Sequence, residues 1–207
     1  TISAGSLALS GSGAIASSAS TNVSSGATVD ISNITSGATI NTLSGAGNIS
    51  LGSKDLTVSQ SSSATLSGVI NGTGTLTKSG SATLTLSGAN TYSGGSTLSA
   101  GTLSLGNNAA LGTNSLTTVS GTTLDIQSTV SASNDIALGS GSTNINVASG
   151  TGTLSGIMSG NGGVNKTGAT TLTLSGINTF TGATTVSAGS LALSGSGAIA
   201  SSSSTNV

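Results

Sequence analysis

Apolar and polar residues alternate in short runs along the whole chain. Leu84 and Leu86, for example, are interleaved with Thr83 and Thr85, so that a strand would place both leucines on one face. This period of two is typical of half-buried β-strands, and no stretch keeps the i, i+3, i+4, i+7 spacing of an amphipathic helix. The pattern therefore predicts an all-β fold. Its apolar pairs are Leu7/Leu9, Val29/Ile31, Ile49/Leu51, Leu84/Leu86, Leu103/Leu105, Leu124/Ile126, Ile145/Val147, Leu172/Leu174 and Leu191/Leu193.

Most of these pairs follow one another at intervals of about twenty residues, with steps of 22, 20, 19, 21, 21 and 19. The gap from Leu51 to Leu84 requires an extra coil around Leu66. The long step from Ile145 to Leu172 indicates either an irregular coil or a change of phase. Gly, Ser and Asn fill the intervals, as turns require. The pattern predicts a β-solenoid of about ten coils, each of roughly twenty residues with two or three strands.

Coils of such a solenoid stack at the ~4.8 Å spacing of paired strands, so about ten of them form a rod roughly 45–50 Å long. A β-sandwich with a similar number of strands is the alternative. It would also show frequent turn signals, but it gives no reason for repeats at twenty and at ninety residues.

A longer repeat contains the short one. The pentapeptide at 3–7 recurs with one substitution at 99–103 and unchanged at 187–191, in steps of 96 and 88 residues. The segment 1–23 recurs at 185–207 with only two differences. We interpret residues 1–207 as a single β-solenoid segment of a longer array, whose repeats start near positions 3, 99 and 187.

Charged residues make up only 3% of the chain, against about 25% in a typical domain. Identical positions of stacked coils lie ~4.8 Å apart, so a low charge avoids repulsion along the rod. The absence of Pro keeps every strand able to donate ladder hydrogen bonds. A net charge of -1 offers no basic patch for nucleic acid, and no run approaches the ~18 apolar residues of a membrane helix. We therefore expect neither nucleic-acid binding nor membrane insertion.

The side chains required for catalysis or metal binding are scarce. Without His or Cys there is no base for a nucleophilic Ser and no zinc site. The four aspartates are Asp30, Asp55, Asp125 and Asp135. The sequences Val-Asp-Ile and Leu-Asp-Ile place Asp30 and Asp125 on equivalent outward positions several coils apart, too far for a hydrolytic carboxylate pair. Calcium-binding and nucleotide-binding glycine motifs are absent, so we predict no catalytic, cofactor or metal residues and no enzymatic activity.

Two stretches of the long repeat share unusual residues. Lys78 aligns with Lys166, while Tyr92, the only tyrosine, aligns with Phe180, the only phenylalanine. For the lysines, a turn position whose ammonium reaches solvent or caps a strand-end carbonyl is favoured over contact with a partner. The asparagine two residues before each aromatic is expected to turn the chain or to stack its amide. The aromatic rings are expected to fill a corner of the core rather than to form a platform for sugars.

These residues belong to a pattern that resembles the autotransporter-associated β-strand repeat of bacterial passenger domains. The first copy supplies Gly72, Gly74, Leu76, Lys78, Gly80, Thr83, Leu84, Leu86, Gly88, Asn90, Tyr92, Gly94, Ala100, Gly101 and Leu103. The second copy supplies Gly160, Gly162, Val164, Lys166, Gly168, Leu172, Leu174, Gly176, Asn178, Phe180, Gly182, Ala188, Gly189 and Leu191. Val164 departs from the pattern's Leu by a smaller apolar side chain.

The resemblance implies a right-handed parallel β-helix that is exported across the outer membrane of a Gram-negative bacterium. Proteins with this repeat are adhesins, stalks or other surface structures, and the repeat is thought to assist folding and transport. It implies no catalytic residues and no cofactor. We therefore expect an extracellular structural or adhesive protein that forms a cell-surface stalk or filament. Its expected partners are further repeats of the same chain, end-to-end copies of itself, and surface glycans or proteins of host or neighbouring cells.

The second hypothesis is a binding module that uses one face of the solenoid for a glycan or, through outward threonines, for ice. Thr83/Thr85 and Thr171/Thr173 fit a Thr-x-Thr motif. Other coils carry Ser, Ala or Asp at these places, so no continuous row of threonines is expected. The ladder edges at both ends carry no polar cap, and we expect each end to continue into further repeats or to stack on another copy.

Overall fold

The computed structural model describes residues 1–199 and 201–206 of the chain. In this part every regular element is a β-strand, and no helix is long and apolar enough to cross a membrane. The strands are β1 (Ser6–Gly11), β2 (Thr21–Val23), β3 (Thr28–Ile34), β4 (Ala38–Asn41), β5 (Leu43–Gly45), β6 (Asn48–Ser50), β7 (Leu56–Ser59), β8 (Ala64–Leu66), β9 (Ile70–Asn71), β10 (Leu76–Ser79), β11 (Thr83–Leu86), β12 (Ser96–Leu98), β13 (Thr102–Leu105), β14 (Leu116–Thr118), β15 (Thr123–Ile126), β16 (Ser131–Ala132), β17 (Ile136–Leu138), β18 (Ser142–Asn146), β19 (Thr151–Leu154), β20 (Met158–Gly160), β21 (Gly163–Thr167), β22 (Thr171–Leu174), β23 (Thr184–Val186), β24 (Ser190–Leu193) and β25 (Thr205–Asn206).

The strands pair in parallel to form four sheets. Sheet 1 has the order β2-β5-β8-β11-β13-β15-β18-β21-β23-β25, and sheet 2 has the order β4-β7-β10-β12-β14-β17-β20. Sheet 3 is β1-β3-β6-β9, and sheet 4 is β16-β19-β22-β24. The chain visits sheet 2, then sheet 1, then sheet 3 or 4, and returns to sheet 2 about twenty residues later. This is a three-sided β-solenoid of about ten coils, as the sequence predicts.

Sheets 3 and 4 lie on the same side of the solenoid, separated by two coils without a strand there. The backbone continues through this interval with hydrogen bonds of the same coil-to-coil kind. They are Thr91 N to Ile70 O at 2.9 Å, Thr113 N to Tyr92 O at 3.0 Å and, through a side chain, Asn134 Nδ2 to Gly112 O at 3.1 Å. The third face is therefore continuous even where it is not a regular sheet.

The position of each apolar pair explains the irregular steps in the sequence. The pairs up to Leu51 lie at sheet 3, those from Leu84 to Val147 at sheet 1, and those from Leu172 onward on sheet 4. A change of phase, not an irregular coil, therefore separates Ile145 from Leu172. The extra coil expected around Leu66 is present, with β8 in sheet 1.

Inward side chains stack from coil to coil and form a narrow aliphatic core. On sheet 2, Leu56, Leu76, Leu116, Ile136 and Met158 are at most 1% exposed. Each such residue contributes about 1.5–3 kcal/mol by leaving water, so many small aliphatic residues can replace a few large ones. The outermost coils are less covered, and Leu193 on β24 is 46% exposed.

Candidate functional site

Each copy of the shared motif forms four strands in two neighbouring coils. In the first copy β10 pairs with β12 and β11 pairs with β13. In the second copy β21 pairs with β23 and β22 pairs with β24. A copy thus supplies two stacked rungs on two faces of the solenoid. The segment between its second and third strands crosses the remaining face without forming a regular strand, and it contains the Asn-x-aromatic sequence. This face is the side of sheets 3 and 4 in the first copy and the side of sheet 2 in the second.

The two copies do not lie on the same faces. The first copy uses sheets 2 and 1, whereas the second uses sheets 1 and 4, so the second is rotated by one face. The step of 88 residues between them equals four coils and one further face. The preceding step of 96 residues equals four coils and two further faces. Together these 184 residues make nine whole coils, which returns β24 to the side of the solenoid that carries β1.

Every second residue of the motif points inward. Leu84, Leu86, Gly88, Asn90 and Tyr92 are all buried, as are their counterparts Leu172, Leu174, Gly176, Asn178 and Phe180. The period of two therefore continues beyond the leucines into the turn, and it carries polar and aromatic side chains into the core. This parity was visible in the sequence and could have indicated that the asparagines and lysines point inward.

The lysine of the first copy is enclosed in the core. Lys78 is 1% exposed, and its Nζ donates hydrogen bonds to the carbonyl oxygens of Ser79 at 3.0 Å, Gly80 at 2.8 Å and Ala100 at 3.0 Å. Ala100 lies in the next coil, so the ammonium joins two coils. Burial lowers the pKa of Lys78 to about 8, which leaves the group protonated at pH 7 with three protons for three carbonyls.

The lysine of the second copy has the same arrangement. Lys166 is fully buried, and its Nζ donates to the carbonyls of Thr167, Gly168 at 2.9 Å and Ala188 at 3.3 Å. Burial lowers the pKa of Lys166 as well. Of the two positions considered from sequence, the capping of carbonyls describes both lysines, and neither ammonium reaches solvent.

Each asparagine bridges three coils on the face where its own motif copy has no regular strand. Asn90 Oδ1 accepts from the backbone N of Ile70 at 2.8 Å, and its Nδ2 donates to the carbonyl of Ala110 at 2.7 Å. Asn178 makes the same two bonds, from Met158 N at 2.9 Å and to Ala198 O at 2.9 Å. Each side-chain amide therefore takes the place of a peptide group in the ladder. The expected turn or amide stack is not what the structure shows.

Both aromatic rings lie in the core. Tyr92 is fully buried and Phe180 is 1% exposed, so neither offers a surface on which a sugar ring could stack. The hydroxyl of Tyr92 shares a 2.5 Å hydrogen bond with Ser96 Oγ, and burial raises the pKa of Tyr92 to about 12. Phe180 lacks the hydroxyl, and the counterpart of Ser96 is Thr184, which donates to Ser202 Oγ at 3.0 Å instead.

Two kinds of glycine in the motif are required by geometry. A Cβ at Gly74 would lie 1.8 Å from the carbonyl oxygen of Lys54, and one at Gly162 would lie 1.9 Å from that of Gly139. Gly80 and its counterpart Gly168 adopt φ of +78° and +79°, which residues with a Cβ rarely adopt. Of the remaining motif glycines, Gly160 is the last residue of β20, and the others lie between strands, at Gly72, Gly88, Gly94, Gly101, Gly176, Gly182 and Gly189.

Two of the aspartates lie on different faces. Asp30 is on β3 in sheet 3 and Asp125 is on β15 in sheet 1, so the expectation that their strands are equivalent is wrong. Similar local sequences occur on different faces because the repeat is not a whole number of coils. Asp125 accepts hydrogen bonds from Ser104 Oγ and Asn146 Nδ2, both at 2.6 Å.

Hydrogen bonds also occupy the remaining carboxylates. Asp30 accepts from the backbone N of Ser32, and this bond is the main cause that lowers its pKa. Asp55 accepts from Thr75 N at 3.1 Å, and Asp135 accepts from Ile157 N at 2.8 Å. Residues 1–199 and 201–206 contain no group of three potential metal ligands. Asp30, Asp55 and Asp135 therefore bind the backbone within or between coils, whereas Asp125 binds two side chains.

The fold and these buried contacts define a repeat protein of the β-solenoid class, in which each motif copy fastens two neighbouring coils together. Residues 76–105 and 164–193 match the passenger-associated-transport-repeat family, and these ranges run from the first to the last strand of each copy. The chain therefore carries two copies of this repeat, which together cover 60 of its 207 residues, as the sequence resemblance predicts. Comparisons with curated proteins and with solved structures gave no match.

Proposed function

We propose that this chain is an extracellular structural segment of an autotransporter passenger, which holds other parts of the protein away from the bacterial surface. The observation that carries the proposal is the uninterrupted stack of parallel coils that contains both passenger-associated transport repeats. Coil-to-coil hydrogen bonds run along the rod on all three sides, so a load along the axis is shared by three ladders. The core contains mainly aliphatic side chains, which suits a scaffold better than a catalyst.

We propose further that each transport repeat is a local folding unit. Its lysine joins two coils through carbonyls of the same repeat, and its two pairs of strands close within about thirty residues. Contacts that are this close in sequence cost little loop-closure entropy. A passenger that emerges unfolded from the outer membrane would gain from such units, because each can order two coils before the rest of the chain arrives.

The test of location uses bacteria that express the native gene and antibodies raised against this chain. Intact cells should be labelled, and external protease should remove the signal without lysing the cells. Labelling that appears only after lysis would contradict the proposal. Purified chain on a glycan array separates a stalk from an adhesive module, because a stalk segment gives no reproducible binding to any glycan.

The partners at the two ends are proposed to be further coils, either of the same polypeptide or of another copy. The N–H and C=O groups at the edge of any uncapped coil favour pairing with a further strand. The two cases differ in the mass of the native material. A single long chain gives a very high mass on a denaturing gel, whereas stacked copies give the 19.1 kDa of this chain and concentration-dependent growth.

A further inference from the structure

The outer surface of sheet 2 carries a row of threonines that the sequence pattern alone does not show. One threonine from each of five successive strands stands in register with the next. The row is Thr39 on β4, Thr57 on β7, Thr77 on β10, Thr97 on β12 and Thr117 on β14. The expectation that no continuous row of threonines forms is therefore wrong. It followed the motifs at Thr83/Thr85 and Thr171/Thr173, which lie on two different faces, in sheets 1 and 4.

The threonines of the row are in regular register, and buried neighbours on the same strand hold each of them in place. Each of its threonines lies between two buried residues of its strand, such as Leu76 and Lys78 on either side of Thr77. The last three steps are 20 residues each, so no insertion displaces one strand from the next. Parallel pairing at ~4.8 Å sets the distance between neighbouring side chains. The row ends at Ala137, where the strand after β14 has no hydroxyl at this position.

The chemistry of the row suits ordered water. Each threonine offers a hydroxyl, which both donates and accepts, beside a methyl group that restricts the orientation of the adjoining water. No charged side chain lies within the row. The spacing of paired strands is close to the repeat of water molecules along one axis of hexagonal ice. A sugar polymer is disfavoured because the only two aromatic rings are buried in the core, where they cannot stack on it.

We propose that this threonine row binds the ordered water of an ice crystal face. The site is a second function on the surface of the scaffold, and it does not depend on the proposed export or on the stalk role. Five hydroxyls held at one repeat bind a lattice cooperatively, since fixing the first leaves the others already in place.

The test compares three proteins in ice-shaping, thermal-hysteresis and ice-partition assays. The wild-type chain is expected to shape ice crystals and to be incorporated into growing ice. Thr77→Tyr places a bulky ring at the centre of the row and should lose most of both activities. Thr173→Tyr on sheet 4 is the matched control, since Thr173 is also a half-exposed threonine between two buried leucines, and it should behave as the wild type.

Circular dichroism establishes that each variant keeps its strands. Thr77→Val, which retains the methyl group and the preference for strand, provides a second probe if the tyrosine variant fails to fold. The Thr77→Val variant should show less thermal hysteresis than the wild type. A wild-type chain without ice shaping at its highest soluble concentration overturns the proposal, as does an equal loss in the folded Thr77 and Thr173 variants.

Discussion

Lys78 and Lys166 are the most demanding side chains in the core, because each is a cation whose only partners are backbone carbonyls. A buried ammonium without a carboxylate loses its hydration and regains only the three hydrogen bonds. The carbonyls of Ser79 and Thr167 also accept ladder bonds, from the backbone N of Gln60 and of Val147, whereas those of Gly80 and Ala100 accept from Lys78 in the turn. Within residues 1–199 and 201–206 every buried side-chain nitrogen and oxygen has a partner, and the lysines depend on these carbonyls for theirs.

Replacing Lys78 by Met tests this interaction. Methionine fills a similar volume but leaves the carbonyls of Gly80 and Ala100 without their donor, so the free energy of unfolding should fall by about 2–4 kcal/mol. Urea denaturation measures the change. Lys54→Met is the control, because Lys54 lies in a turn at the surface and should change stability by less than about 0.5 kcal/mol. Equal stability of Lys78→Met and wild type would show that the carbonyls are satisfied in another way.

The shifted pKa values predict that the free energy of unfolding passes through a maximum as the pH is raised. The pKa of Lys78 is about 8 in the folded chain and 10.5 ordinarily, so the unfolded chain holds more protons between these values and stability rises with pH. Tyr92 has a pKa of about 12 instead of 10.0, so the folded chain holds more protons above pH 10 and stability falls. In the rise and in the decline alike, each group changes the free energy of unfolding by at most about 1.4 kcal/mol per pH unit.

Urea midpoints measured from pH 7 to 12 should therefore rise from about pH 8 to about pH 10 and then decline. Lys78→Met should flatten the rise, leaving the part that Lys166 contributes. Tyr92→Phe should remove the decline, because Tyr92 is the only tyrosine of the chain. A midpoint that falls steadily from pH 8 would contradict the assignment of the lysine.

At the scale of the element, one asparagine side chain in each transport repeat makes coil-to-coil hydrogen bonds that a strand would otherwise make. Asn90 supplies one acceptor and one donor on the face where the first copy has no regular strand. Asn178 does the same in the second copy, which is rotated by one face. The arrangement lets the chain cross this face to the next strand without leaving peptide groups of the adjoining coils unpaired. The aromatic side chain two residues later is buried in the core at the same face.

Asn90→Ala should lower the free energy of unfolding by about 2–4 kcal/mol, because Ile70 N and Ala110 O would both lose a buried partner. The matched variant Asn90→Asp keeps the acceptor for Ile70 N but cannot donate when ionised, so it tests the second bond by itself. Thermal or urea unfolding gives the values. Amide hydrogen exchange at Ile70 should increase in the alanine variant. Unchanged protection there would mean that the amide is not what holds this coil.

The strands could be read from the sequence, but their faces could not. Val29/Ile31 and Leu172/Leu174 show the same alternation, and the hydrophobic period alone predicts both strands. Their assignment to a face depends on the sum of all preceding turn lengths, which no local pattern reports. For the same reason the threonine row was missed, since Thr39 and Thr117 have no local Thr-x-Thr signal. The inward lysines were hidden by their charge, although their place in the period of two was visible.

At the scale of the whole molecule, the solenoid is one-dimensional, since each coil contacts mainly its neighbours. Inserting a second copy of residues 24–207 after Val207 joins sequences that already follow each other at Val23. The rod should therefore lengthen by nine coils, or roughly 43 Å, without a change in cross-section. Small-angle scattering measures the maximum dimension and the cross-section separately. A thicker particle of unchanged length would show that the added coils fold back instead of stacking.

The nine-coil step has a consequence for the gene that encodes the chain. The stretches that encode 1–23 and 185–207 specify almost the same peptide, and recombination between them would add or remove one block of 184 codons. Such an exchange leaves every remaining side chain facing the same direction, because whole turns have been gained or lost. An exchange over 88 codons would instead rotate everything beyond the junction by one face of the three-sided coil, and an exchange over 96 codons would rotate it by two faces. Length can therefore vary between lineages while the pattern displayed to the surroundings is inherited intact, provided that variation occurs in pairs of repeats.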